Sequence, residues 1–173
     1  MTPLILPYRG IFPRIDATAY IAPGAVIIGD VEIGPESSIW FGCVVRGDVN
    51  IIRIGARTNI QDGTIIHVAS NGVGTHIGNE VTVGHCALLH ECQIDDHAFI
   101  GMKAAVLDGA HVEGYAMLAA GALLAPRKVI PAGQLWAGTP AKFLRELTPA
   151  DRAEFDPRAA QYAALGQEYR TAR

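Results

Sequence analysis

Thr75-His76-Ile77-Gly78-Asn79-Glu80-Val81-Thr82-Val83-Gly84-His85-Cys86-Ala87-Leu88-Leu89-His90 sets large aliphatic residues at 77, 83 and 89, with a small or β-branched residue two places before each. The same paired signal runs N-terminally through Ile33-Gly34 and Ile21-Ala22, and C-terminally through Ile94-Asp95, Ile100-Gly101, Val112-Glu113 and Leu118-Ala119. The small partners continue as Ala19, Ala25, Val31, Ser37, Cys43, Cys92, Ala98, Ala104, Ala110, Ala116 and Ala122. Side chains of a strand alternate between faces, so both members of each pair point inward. Self-similarity of this kind over residues 19–126 predicts an all-β solenoid, a parallel β-helix of hexapeptide rungs that bury their inner faces only against neighbours. An amphipathic helix would need apolar residues three and four apart, which the anchors do not show.

The composition suits a continuous aliphatic core: half of the 173 residues are hydrophobic and 18% are charged. That balance excludes a disordered chain and predicts one domain. A net charge of −3 with no basic stripe argues against a nucleic-acid partner. Met1-Thr2-Pro3-Leu4 lacks a charged segment followed by an apolar run, and no stretch approaches a membrane span of about 20 apolar residues. The expectation is a soluble cytoplasmic protein. Three scattered cysteines form no disulfide framework, with Cys43 and Cys92 at small inward places and Cys86 read as an interface thiol.

Two interruptions break the period. Val45 and Ile54 are nine apart, which extrudes residues near Asp48-Val49-Asn50, and Ile66 and Ile77 are eleven apart, which extrudes a loop within Val68 to Gly74. Loops on a rigid scaffold commonly carry function. The Gly-rich Asn71-Gly72-Val73-Gly74 lacks the strand and helix context of a phosphate loop. After Pro126 the repeat stops. Thr148-Pro149-Ala150-Asp151 then reads as an N-cap, an N1 proline and an acidic N3 residue, and Asp156-Pro157 repeats the signal. Four segments follow: an extended start (1–18), the repeat (19–126), a turn-rich exit (127–147) and a helical end (148–173), in one helix with a break or two. Ala159, Tyr162, Ala163, Gly166 and Tyr169 share a face that packs on the coil or on another subunit.

With three rungs to a coil, Val45, Ile66, Leu89 and Val106 fall on one face, and Ile60, Val83 and Ile100 on the preceding one. Arg46, His67 and His90 each follow an anchor on the first face, so they stack in consecutive coils about 4.8 Å apart and point outward. Imidazoles at that spacing can share a transition metal with Zn–N bonds of about 2 Å. His85 lies two residues after an anchor on the other face, above Asp62, and so points toward a second molecule. A three-histidine site would form only between subunits. His76, His97 and His111, without stacked partners, are expected to be surface groups.

These residues also carry a family resemblance. Arg46-Gly47-Asp48, Asn59-Ile60-Gln61-Asp62-Gly63 ending in His67, and Gly84-His85-Cys86-Ala87-Leu88-Leu89-His90 resemble the ordered signature of the γ-class carbonic anhydrases. The likeness continues through Ile100-Gly101-Met102, Val106-Leu107-Asp108-Gly109-Ala110 and Ala137-Gly138-Thr139-Pro140-Ala141-Lys142 to the terminal helix. It implies a left-handed β-helix, although the usual rule for parallel crossovers favours the right hand. It further implies a homotrimer whose metal, Zn2+ with Fe2+ or Co2+ as alternatives, is held by His67 and His90 of one subunit and His85 of its neighbour. The implied reaction is reversible hydration of carbon dioxide to bicarbonate. Gln61 orients the hydroxide or bicarbonate, Asn59 assists, Tyr162 reaches the pocket, Arg46 and Asp48 pair across the boundary, and Asp62 holds a ligand or Arg46.

One departure concerns proton transfer. The best-characterised members carry an acidic loop after the Arg-x-Asp element and a glutamate three residues after the first ligand, where this chain has Val49-Asn50 and Ser70. Slow regeneration of hydroxide is therefore expected. Two other readings stand beside the lyase: a hexapeptide acyltransferase or thioesterase acting on coenzyme A thioesters through one histidine base, and a metal-stabilised trimer with little catalysis.

Overall fold

The computed structural model describes residues 2–172; Met1 and Arg173, the outermost residues of the first and last expected segments, lie outside them. The chain is a parallel β-solenoid closed by C-terminal helix, and its strands stack in three ladders. The first runs Leu4–Leu6, Val26–Ile33, Val44–Ile54, Ile65–His67, Leu88–His90, Ala105–Val106 and Leu123–Leu124. The second runs Tyr20–Ile21, Ser38–Ile39, Asn59–Ile60, Thr82–Val83, Phe99–Ile100, Met117–Leu118 and Gln134–Ala137. The third comprises Arg14–Ile15, the far halves of the two long strands, Thr75–Ile77, Gln93–Ile94, His111–Val112 and Val129–Ile130. Val26–Ile33 and Val44–Ile54 turn a corner to join the first ladder to the third. Gly29 makes that bend at φ 77°, so close to the next coil that a Cβ would lie 2.3 Å from the Gly47 carbonyl oxygen.

The period-2 pattern explains the core. Ile27, Val45, Ile66, Leu89, Val106 and Leu124 form one fully buried inward column, and Ala87, Ala98, Ala104, Ala110 and Ala116 fill the space left beside such columns.

The three outward faces differ in chemistry. On the third, Arg14, Glu32, Arg53, His76, Gln93 and His111 stand in register, and all but His76 pair with one another or with Asp30 and Asp95. The second face is covered by α2 (Phe155–Thr171), which buries Ser38, Asn59 and Thr82. Gly166 brings that helix within reach of Tyr20 and Ser38, while Tyr162 and Tyr169 pack edge-on against Trp40. The first face carries an aliphatic column of Leu4, Val26, Val44, Ile65, Leu88, Ala105 and Leu123 that no described element covers. Ile65 is 46% exposed and Leu88 39%.

The helical end has the expected break. Thr148 caps α1 (Pro149–Arg152) in a reciprocal capping box with Asp151, Pro149 occupies the first turn, and α2 begins at Phe155. The coil, however, outruns residues 19–126. Leu4–Leu6 and Arg14–Ile15 already pair in parallel, and Val129–Ile130 and Gln134–Ala137 continue the ladders past Pro126. Ile130 and Trp136 keep the six-residue spacing from Leu124, but Pro126, Pro131 and the bulky Lys128 at a small-residue place conceal it in the sequence. The expected turn-rich exit also contains a strand: Lys142–Glu146 pairs antiparallel with Gln134–Ala137 and covers the last ladder edge.

Both interruptions fall where the spacing puts them. Opposite Gly29 to Val31 the partner strand carries Gly47 to Ile52, so Asp48, Val49 and Asn50 lie in a bulge. Residues 68–74 form an irregular loop with Val68 buried and Val73 exposed.

Candidate metal centre

The first face builds the site from two edges. Ile65–His67 and Leu88–His90 pair residue for residue, with Ile66 opposite Leu89 inside and His67 opposite His90 outside. The two imidazoles lie 5.3 Å apart between centroids, tilted by 49°. One coil earlier stands Arg46, whose guanidinium pairs with Asp48. Asp48 Oδ1 in turn lies 3.0 Å from His67 Nε2. Burial alone would raise the Asp48 carboxyl, but hydrogen bonds from His67 and Arg46 and the Arg46 charge hold it below the usual carboxylate range.

The opposite edge carries His85. It sits in the turn between Thr82–Val83 and Leu88–His90, one coil after the turn that holds Asp62, and its Nδ1 is 2.8 Å from Asp62 Oδ2. Gln61, one residue before Asp62, donates its Nε2–H to Asn59 Oδ1 at 3.0 Å. Asn59, 1% exposed beneath α2, spends its own amide on Thr82 Oγ1 and the Val81 carbonyl, so it holds Gln61 and faces no solvent. Tyr162 packs edge-on against Trp40. Trp40 is one coil before Gln61 in register, which puts Tyr162 on that side of the coil, and burial and then the Asp62 charge push its hydroxyl above the ordinary tyrosine value.

The nine residues singled out in the sequence thus form two groups. Arg46, Asp48, His67 and His90 share one edge of the apolar face, and Asn59, Gln61, Asp62, His85 and Tyr162 belong to the other.

The donor chemistry fits a transition metal. His85 meets a carboxylate at Nδ1, and so does His90, whose Nδ1 is 2.6 Å from Asp108 Oδ1. A carboxylate on Nδ1 fixes the tautomer and leaves the Nε2 lone pair free for a cation. His67 differs, because Asp48 occupies its Nε2 and would yield that nitrogen when a cation arrives. The buried thiols are poor ligands: desolvation pushes both Cys43 and Cys92 to about 12.

Asp108 is a residue that the motif reading left without a role. The coil count could have assigned one, since Leu89 pairs with Val106 and Asp108 lies one residue past the position a coil after His90. Asp108→Ala is expected to weaken metal binding about 10- to 100-fold, the usual cost of losing such a partner, with the fold intact. Competition with a chromophoric chelator measures it, and an unchanged affinity would remove Asp108 from the site.

Of the histidines expected to be plain surface groups, His97 is the exception. Its ring stacks on Tyr115 at 4.5 Å and its Nδ1 lies 2.7 Å from Asp156 Oδ1 in the first turn of α2. With Glu80 it forms the group of three potential ligands within 4.8 Å of one another found among the described residues. Arg57 already pairs with Glu80, and His97 bridges Glu80 of the coil to Asp156 of the helix, so the cluster ties the two together. His111 is held by Asp95, and His76 meets the Val73 carbonyl.

Residues 12–47 match the family described as Bacterial transferase hexapeptide (six repeats). Over 168 residues, 96% of the chain and 91% of the relative, it is 44% identical to the carbonic anhydrase of Geobacillus kaustophilus (strain HTA426). The chain belongs to the γ-class carbonic anhydrase family. Gamma carbonic anhydrase 1, mitochondrial, of Arabidopsis thaliana is 48% identical over 162 residues, 91% of this chain. The chain spans 59% of that longer relative. Among solved structures, a hexapeptide transferase family protein from Anaplasma phagocytophilum superposes with a TM-score of 0.93 at 47% identity, covering 98% of this chain and 99% of the other. As a γ-class carbonic anhydrase family member the chain is carbonic anhydrase-like, and no described helix is long and apolar enough to cross a membrane.

Proposed function

We propose that this chain hydrates carbon dioxide reversibly to bicarbonate at a divalent metal, zinc in the first instance with iron(II) or cobalt(II) as alternatives, held by His67 and His90 of one subunit and His85 of the next in a homotrimer. The observation that carries the reading is the placement of the histidines: two in register on one edge of the apolar face, the third on the opposite edge, with carboxylates on Nδ1 of His85 and His90. One chain does not bring the three together, whereas two copies meeting along that face would bring opposite edges into contact. The uncovered aliphatic column supports such contact, because a continuous apolar strip is what a subunit interface buries.

The metal, when bound, supplies a water whose pKa falls to about 7. Around it, Gln61 has one amide N–H committed to Asn59, which fixes the carboxamide and leaves Oε1 to accept a proton-bearing oxygen in one orientation. Arg46, held by Asp48, places a fixed positive charge beside His67 where the bicarbonate product would gather. Asp62 and Asp108 hold the ring planes of His85 and His90. Tyr162, packed on Trp40 one coil before Gln61, would line the same pocket. A cytoplasmic location suits three free thiols, one of them exposed.

Apart from Asp48, which is held by Arg46 and His67, the bulge and the loop supply no carboxylate to carry a proton outward: Val49 is exposed, and the Asn50 amide is spent on the carbonyls of Ala69 and Gly72. That observation favours, as the second reading, a metal-stabilised trimer with little turnover. Stopped-flow carbon dioxide hydration with protein loaded with zinc, cobalt or iron separates the two. The lyase reading expects metal-dependent hydration that accelerates with added imidazole buffer. Stoichiometric metal with no hydration above the His90→Ala background would leave only the assembly role.

A further inference from the structure

Glu91 directly follows a proposed ligand, yet its side chain turns away from solvent and is 4% exposed. A buried carboxylate needs partners, and this one takes them from the loop extruded after His67. Oε2 accepts the Ala69 N–H at 2.8 Å and Oε1 accepts the Gly74 N–H at 2.7 Å, so a single side chain closes both ends of the loop. The fit is tight, because a Cβ on Gly72 would lie 1.8 Å from Glu91 Oε1. The Glu91 backbone N–H and the Thr75 hydroxyl both donate to the His67 carbonyl, at 3.2 and 3.0 Å. Asn50, in the bulge that carries Asp48, donates to Ala69 and Gly72. His67 is therefore fixed from both sides: its own carbonyl is bonded twice, and the segment that follows is tied to Glu91 and to the bulge.

We infer that Glu91 is a positioning residue of the shared metal centre, which sets the backbone of His67 by clamping residues 69–74. The inference rests on the metal-site reading above. It deepens that reading by assigning a second support to the one histidine that lacks a carboxylate on Nδ1. Ser70, at the place of the missing glutamate, lies inside the loop that Glu91 clamps.

The test uses Glu91→Gly and Glu91→Gln in the full chain. Glycine relieves the left-handed backbone at this position (φ 47°) while removing the carboxylate, so the variant keeps the coil. Glutamine retains one acceptor for the two N–H groups. Cobalt(II) binding followed by absorption, together with hydrogen exchange at the Ala69 and Gly74 amides, reads the outcome. Glu91→Gly is expected to weaken cobalt binding about 10- to 100-fold, the range for an outer support of a metal ligand, and to speed exchange at both amides, with Glu91→Gln intermediate. Fast exchange with wild-type cobalt affinity would overturn the inference. Wild-type protein that binds no cobalt would instead sink the metal-site reading, and the positioning role with it.

Discussion

His90→Ala is expected to abolish stoichiometric metal binding and to reduce carbon dioxide hydration to background while leaving the solenoid folded. The side chain points outward from a strand whose inward neighbour, Leu89, is fully buried, so its removal opens no cavity in the core. What it does remove is one of three imidazoles and the element that Asp108 orients. Loss of an outer partner alone costs about 10- to 100-fold in metal affinity, and loss of the ligand itself should exceed that range. The check is metal content after gel filtration, paired with stopped-flow hydration and circular dichroism. Retention of one metal per subunit with normal turnover would move the site elsewhere, and the Glu80, His97 and Asp156 group would be the first place to look.

The second large effect concerns a residue that touches no ligand. Leu88→Asp should dissociate the assembly and empty the metal site although His67, His85 and His90 are all retained. In the single chain Leu88 is 39% exposed on the uncovered aliphatic column, where an aspartate would be solvated and cost the fold little. In an interface along that face the same carboxylate would lose its water without gaining a partner, at a cost on the order of 3–5 kcal/mol, repeated at every copy of the contact. Multi-angle light scattering and metal analysis on one sample follow both consequences. An intact trimer with normal metal content would show that the column is not the contact surface.

Much of this was legible in the sequence, and the reason is the repeat. A six-residue period fixes register, and register alone places His67 beside His90 and puts Arg46 above them. The same arithmetic set His85 apart over Asp62, and the 2.8 Å contact between them follows from it. What escaped the period were interactions that do not repeat. Ile130 and Trp136 kept the spacing, but flanking prolines and Lys128 hid the last rungs. His97 found a partner in Asp156, fifty-nine residues away on a helix, which no local pattern announces. Glu91 has no place in the period, and only the fold of the extruded loop turns its carboxylate inward to Ala69 and Gly74. Asn59, matched to a motif position near the chemistry, proved to lie beneath α2 and to act on Gln61.

If the metal belongs to a pair of subunits, mixed trimers will recover it. Neither His67→Ala nor His85→Ala protein alone can form an intact site. When the two are unfolded, mixed and refolded together, each mixed trimer contains one boundary at which an intact His67 and His90 meet an intact His85. Metal binding and hydration, absent from each parent, are expected to reappear in the mixture in proportion to the mixed species resolved by native mass spectrometry. Verified mixed trimers that bind no metal would contradict a shared site.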